Sequence, residues 1–168
     1  MVISVAADVN EIARLGRDFS WIKPVGCPFC GQPLWWHGFV LAYFSCLAEA
    51  VFLRRLRCSC CRSVHRLKPS GYWRRFRSPM AEIFQSVSHH SGSGHWRRDL
   101  PRDRQRQWRR RLQRMIKAVL GVFCGSDRAA FEALVTRGFI PVSLSFECDH
   151  SGAGPPPYRS VSLSPISR

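Results

Sequence analysis

Cys27-Pro28-Phe29-Cys30 and Cys58-Ser59-Cys60-Cys61 form two C-x-x-C pairs with 27 residues between them. Two intervening residues let both sulfurs of one turn reach the same ion. Two such turns complete a tetrahedron with Zn–S bonds of about 2.3 Å. The pattern is that of a structural four-thiolate site holding one Zn2+, with Cys27, Cys30, Cys58 and Cys61 as ligands. A single C-x-x-C also serves as a redox motif, but two pairs at this separation are harder to obtain by chance. Gly31, directly after the first pair, suits a turn that needs positive φ. Cys60 lies inside the second pair and could replace Cys58 or Cys61; the x-x spacing favours Cys58 and Cys61. His37 and His65 are alternative imidazole ligands, and both read first as surface residues of a hairpin. Cys46, Cys124 and Cys148 stand alone in mostly apolar surroundings and read as small buried or idle thiols.

The second chemical signal is charge. The 168-residue chain carries 26 Lys and Arg against 11 Asp and Glu, a net charge of +15. Only Lys23, Lys68 and Lys117 are lysines; the rest are arginines, which suit bidentate contacts to phosphate and guanine. Residues 50–81 hold nine basic residues and no acid, and residues 96–117 hold ten against Asp99 and Asp103. Two dense runs beside a metal site point to a polyanionic partner. Tyr72, Trp73, Phe76, Trp96 and Trp108 interleave with the arginines, which favours nucleic acid over a membrane surface. The candidate phosphate contacts are Arg54, Arg55, Arg57, Arg74, Arg75, Arg106, Arg110 and Arg114, and the candidate base contacts are Arg104, Gln105 and Arg109.

The elements that must position these groups can be read in turn. Residues 8–18 predict a short helix, capped by Asp8 with Glu11 as reciprocal partner. Residues 33–57 are rich in strand formers, and together with Val64, His65 and Leu67 they predict hairpins around the cysteine turns. Such a core is small, so metal would supply much of its folding energy. Ser78 and Pro79 predict a helix over residues 78–88, ending at a flexible turn over residues 89–94. Trp108, Leu112, Met115, Ile116, Val119 and Phe123 recur at spacings of three and four. They predict a helix over residues 101–123 with Arg106, Arg110, Arg114 and Lys117 on its other face. Ser126 to Gly138 predicts a fourth helix. The expected fold is α+β, in five stretches: a lead-in (1–24), a zinc ribbon (25–70), a helix-turn-helix-like basic unit (71–123), a short helix (124–140) and a disordered tail (141–168).

Cys27-Pro-Phe-Cys30-Gly31, Trp36-His37-Gly38, Leu56-Arg57-Cys58 with Cys61, and Leu67-Lys68-Pro69 together resemble the N-terminal zinc ribbon of bacterial transposases. They are also similar to short zinc-ribbon/helix-turn-helix proteins of mobile elements. The resemblance covers roughly residues 25–117 and implies binding to element DNA, with a transposase as a further partner. Its zinc-ligand pattern falls on Cys27, Cys30, Cys58 and Cys61. The chain departs from it in the extra Cys60 and in the Gly/Ser stretch at residues 91–94.

Catalysis of strand transfer needs carboxylates that hold two metals. Seven acids follow residue 81, without a strand-end cluster, and no phosphate loop or nucleophile elbow is present. His89, His90 and His95 read as solvated loop histidines. The expectation is a cytoplasmic, zinc-dependent, non-enzymatic binder of duplex DNA with no small-molecule substrate. The longest apolar stretch, residues 39–53, is too short and polar to span a bilayer, and the first residues lack a signal-peptide pattern. Two alternatives stand beside it: a zinc-stabilised protein-interaction module that exposes Trp35, Trp36 and Trp73, and a non-specific RNA binder.

Overall fold

The computed structural model describes residues 1–144. Cys148 and the tail expected from residue 145 onward lie outside the described residues. The fold is α+β: a four-stranded sheet followed by a cluster of helices.

The strand-forming runs pair as their composition demands. β2 (Leu34–Ala42) and β3 (Val51–Cys58) are antiparallel, from Leu34 opposite Cys58 to Ala42 opposite Val51. The register shifts between Trp36 and Phe39, where Gly38 sits at φ +77°, so one extra residue bulges from β2. β4 (Val64–Pro69) returns antiparallel to β3. β1 (Val2–Val5) pairs parallel to β4, giving the order β1-β4-β3-β2. This first strand was not expected. Four residues are too few for a periodicity, and the partner lies 64 positions away, with Val2 opposite Arg66.

α1 (Val9–Leu15) starts where Asp8 accepts bonds from the Asn10 and Glu11 amides at 2.7 and 2.9 Å. It continues as a 3-10 turn over Gly16–Asp18 and inserts Val9 and Ile12 among Val51 and Leu53 of the sheet and Phe44 just beyond β2. A second sheet cluster joins Leu34, Leu56 and Leu67 to the buried cysteines Cys27 and Cys58. Burial of each of these leucines contributes about 1.5–3 kcal/mol.

The helices depart from expectation at their ends. α2 (Met80–Ser93) begins two residues after Ser78, which is buried and caps nothing, and runs through the stretch read as a flexible turn. Gly94, at φ +70°, closes it in the left-handed conformation. α3 (Arg102–Met115) passes into a π-helical turn over Ile116–Leu120 that Gly121 ends. The helix read to residue 123 therefore stops short of Phe123. α4 (Asp127–Thr136) is capped by Ser126, whose hydroxyl accepts from Ala129 N–H. The stretch between α2 and α3, residues 94–101, is longer than the three- or four-residue turn of a helix-turn-helix. The three helices share one core built on Ile83, Val87, Trp108, Leu112, Met115, Phe131 and Leu134. Trp73 enters it from before α2, and Ile140 and Val142 enter from after α4, so residues 141 and 142 are packed where a disordered tail was expected to begin.

Sheet and helices are joined by a buried cation. Lys68 is only 4% exposed, and its Nζ donates to the carbonyls of Trp73 and Phe76, both at 2.7 Å. The Phe44 and Tyr72 rings flank it at 5.9 and 5.7 Å. No helix among the described residues is long and apolar enough to cross a membrane.

Candidate metal centre and basic surface

The two cysteine turns converge. One ligand atom from each of Cys27, Cys30, Cys58 and Cys61 lies within 4.8 Å of all the others, so the four could hold a metal ion. The closest sulfurs pair across the turns: Cys27 with Cys61 at 3.6 Å, and Cys30 with Cys58 at 3.4 Å. A regular tetrahedron with bonds of about 2.3 Å has S···S edges of about 3.8 Å. Those two pairs are a few tenths of an ångström tighter than such an edge, while separations within the cluster extend to 4.8 Å, so closing on one ion takes shifts of up to about 1 Å. Each turn buries its first cysteine, Cys27 or Cys58, and turns its second outward.

The backbone repeats between the two turns. The Cys27 amide bonds to the Gln32 carbonyl at 2.9 Å, and the Cys58 amide bonds to the Ser63 carbonyl at 3.0 Å. The residue after the second cysteine takes positive φ in both: Gly31 at +72° and Arg62 at +59°. This repeat settles the second pair as Cys58 and Cys61. Cys60 is exposed and takes no part in the cluster. Gly26 has its own reason to be glycine, since a Cβ there would lie 2.4 Å from the Gly31 carbonyl oxygen. Hydrogen bonds from Ser63, whose Oγ lies 3.3 Å from Cys61 Sγ, bring the Cys61 thiol down to about 6, toward the thiolate that binds metal.

His65 is a correction. It was read as a surface residue, yet it is fully buried, with Nε2 3.4 Å from Cys27 Sγ and the Phe29 ring 5.8 Å away. Burial lowers its pKa and keeps the ring neutral. With Nε2 carrying the proton, it donates to the Cys27 sulfur, the kind of outer contact that orients a metal ligand. It is not one of the converging four, and neither is His37, which sits at the β2 bulge. Cys46 and Cys124 are exposed rather than buried, and neither joins the four-sulfur cluster.

The nucleic-acid candidates sort into three groups. Arg106, Arg110 and Arg114 lie exposed along α3, while Trp108, Leu112 and Met115 are buried, as the periodicity predicts. On the ribbon, Arg57 is exposed, and Arg54 and Arg55 are half-buried. None of these six forms an ion pair among the described residues, and Arg74 and Arg104 share that condition. Arg109 is partly engaged by Asp127 at 2.9 Å. Gln105 is a correction, because it is fully buried. Its Oε1 accepts from Ser86 Oγ and the Arg97 amide, and its Nε2 donates to the carbonyls of Arg97 and Leu100. All four bonds brace the α2–α3 connection, which leaves nothing for a base edge.

The interleaved aromatics also change role. Trp73 and Trp108 are core residues, Phe76 packs beside them, and Tyr72 packs edge-on to Phe44. Trp96 packs against His90 with ring centroids 3.8 Å apart and planes tilted by 43°. His95 Nδ1 lies 2.7 Å from the Ser93 carbonyl, and His89 and His90 belong to α2 rather than to a loop. Two exposed aromatics are on β2, Trp35 at 62% and Trp36 at 40%, and Phe29 and Tyr43 are exposed to either side of it. Cations alternate with them: Lys23 over Trp35, Arg54 between Trp36 and Phe39, and Arg17 over Phe52. Their density in residues 35–39 is visible in the sequence as strand propensity, and the exposure of Trp35 and Trp36 is the one that the protein-interaction alternative expects.

Compared with known protein families, with curated proteins and with solved structures, the chain finds no match in any of the three.

Proposed function

We propose that this chain is a zinc-stabilised DNA-binding protein that does no chemistry on the DNA itself. The observation that carries the reading is the set of arginines without carboxylate partners among the described residues on both units, Arg54, Arg55 and Arg57 on β3 and Arg106, Arg110 and Arg114 on α3. Unpaired arginines on elements held rigid by a core are suited to phosphate contacts. The four-sulfur set suits zinc in a closed, structural role, because it leaves no position for a reacting water. The metal would fix the turns that start β2 and join β3 to β4, and so the strand that carries Arg54 and Arg57. With Gln105 buried, base contacts fall to Arg104 and Arg109. The similarity to transposase ribbons extends the reading to mobile-element DNA, with a transposase as a further partner, in the cytoplasm.

The test is metal analysis of purified protein followed by anisotropy titration of a labelled duplex at several salt concentrations. One zinc per chain is expected, and six phosphate contacts give a log–log salt slope near −5. Selection from random duplexes then reports any preferred sequence. Absence of binding at low salt, or a slope near zero, overturns the reading.

A second reading, a protein-interaction module, is favoured by the exposure of Trp35 and Trp36, though Trp73, its third expected contact, is buried. It expects salt-insensitive capture of a protein partner. Competition with structured RNA separates DNA binding from RNA binding.

A further inference from the structure

Side chains alternate between the two faces of a strand, so Trp36 and Phe39, three positions apart, would ordinarily point to opposite faces of β2. The bulge at Gly38 changes that. Trp36 lies opposite Leu56 and Phe39 opposite Arg54, and these two positions of β3 share a face. Leu41 follows on the same face opposite Phe52. One end of this face is closed by Leu34, Leu56 and the cysteine turns. The other end stays open, with Trp36 and Leu41 exposed and Phe39, Phe52 and Arg54 half-buried.

Rings and guanidinium groups form a row across the open end. Arg54 lies 4.9 Å from the centre of the Trp36 ring and 4.4 Å from that of Phe39. Arg17 lies 5.8 Å from the Phe39 ring and 4.5 Å from that of Phe52. The two phenylalanine rings meet edge to face with centroids 6.2 Å apart. Lys23 sits at the tryptophan end, 6.0 Å from the Trp36 ring. None of these three cations forms an ion pair among the described residues.

The chemistry of the row selects its occupant. A guanidinium stacked on a ring keeps its in-plane N–H donors, the geometry that phosphate oxygens fit. A duplex hides its base faces, so it would use the arginines and leave the rings idle. An apolar protein surface would cover the rings but desolvate unpaired cations, which is costly. A single strand offers base planes and phosphates in alternation, matching both.

We propose that this face of the sheet binds single-stranded DNA, stacking bases against Trp36, Phe39 and Phe52 and placing phosphates on Arg54 and Arg17. The site stands apart from the duplex reading: it shares Arg54 with that reading and needs none of the α3 arginines.

The experiment uses the full chain with its metal. Labelled oligothymidylate of about 12 nucleotides is titrated by anisotropy. An abasic sugar-phosphate chain, an oligouridylate and a duplex, all of the same length, are titrated alongside. The proteins are the wild type, Trp36→Leu and Phe39→Leu. Oligothymidylate is expected to bind wild type at least tenfold tighter than the abasic chain, and each variant to lower the ratio of oligothymidylate to duplex affinity about tenfold. The abasic comparison needs no variant, so it decides even if Phe39→Leu fails to fold. Equal binding of oligothymidylate and the abasic chain, or an unchanged ratio in Trp36→Leu, overturns the proposal. Tighter binding of oligouridylate than of oligothymidylate overturns the assignment to DNA and makes RNA the occupant. If the duplex binds and oligothymidylate does no better than the abasic chain, the stacking face fails while the duplex reading survives. If oligothymidylate binds through its bases and the duplex does not bind, the reverse holds. Binding of neither overturns both and leaves the protein-interaction module.

Discussion

Arg62→Gly should stabilise the protein. Arg62 occupies the position after Cys61 at φ +59°, where the first turn has Gly31 at +72°. An L-residue in the left-handed region costs roughly 1–2 kcal/mol, because Cβ crowds the backbone. Arg62 is exposed and forms no hydrogen bond or ion pair among the described residues, so its side chain offsets little of this. Glycine removes the strain but adds about 0.5–1 kcal/mol of unfolded-state freedom. The net gain is about 0.5–1 kcal/mol, a rise in Tm of about 2–4 °C per kcal/mol for a chain of this size. Arg62→Ala keeps the strain and drops the guanidinium, so it should change nothing. The assay is denaturant unfolding of wild type, Arg62→Gly and Arg62→Ala at one fixed excess of metal, since bound metal shifts stability by mass action. Arg62→Gly no more stable than Arg62→Ala would refute both the strain argument and the equivalence of the two turns.

Other outcomes follow from the same structure. Gly26→Ala places Cβ 2.4 Å from the Gly31 carbonyl oxygen, so the first turn must shift. It should cost about 1–3 kcal/mol and weaken metal retention in chelator competition; unchanged retention counts against the packing given for Gly26. Cys60→Ser should leave metal content and stability within about 0.5 kcal/mol of wild type, whereas Cys61→Ser should lose the metal, as metal analysis and unfolding will report. Lys68 has its pKa lowered from 10.5 to about 8, first by burial and then by Arg66. The unfolded chain therefore binds more protons between those values, so this residue's contribution makes stability rise from pH 8 toward 10.5. Lys68→Met should flatten that rise, and an identical pH profile in the variant would show that Lys68 does not titrate as described.

Cysteine spacing was enough to find the candidate site, because a four-sulfur cluster restricts ligand type and local geometry together. It did not reveal His65. A lone histidine in a strand carries no signal of its burial, which depends on the packing of Phe29 and the sheet. The apolar face of α3 was legible for the same reason as its basic face: both follow from one period. Gln105 shows where that reasoning stops. It lies on α3 among arginines, and only the returning segment around Arg97 and Leu100 makes it an internal brace. α2 was read too short because Ser91, Gly92 and Ser93 are poor helix formers, yet the left-handed Gly94 closes the helix after them. β1 escaped notice because its pairing with β4 is non-local.

The bulge at Gly38 bears on how this molecule behaves in a crowd. β2 is an outer strand, and it exposes Trp35 and Leu41, the composition that invites a neighbouring chain to add a strand. Its ladder is broken between Trp36 and Phe39 into a stretch of three residues, Leu34 to Trp36, and one of four, Phe39 to Ala42. Each is shorter than an ordinary strand of about five or six residues. A foreign strand that matched one stretch would be out of register on the other. The extra residue thus discourages edge-to-edge aggregation while leaving the tryptophans accessible, a combination that a flat outer strand of the same composition could not provide.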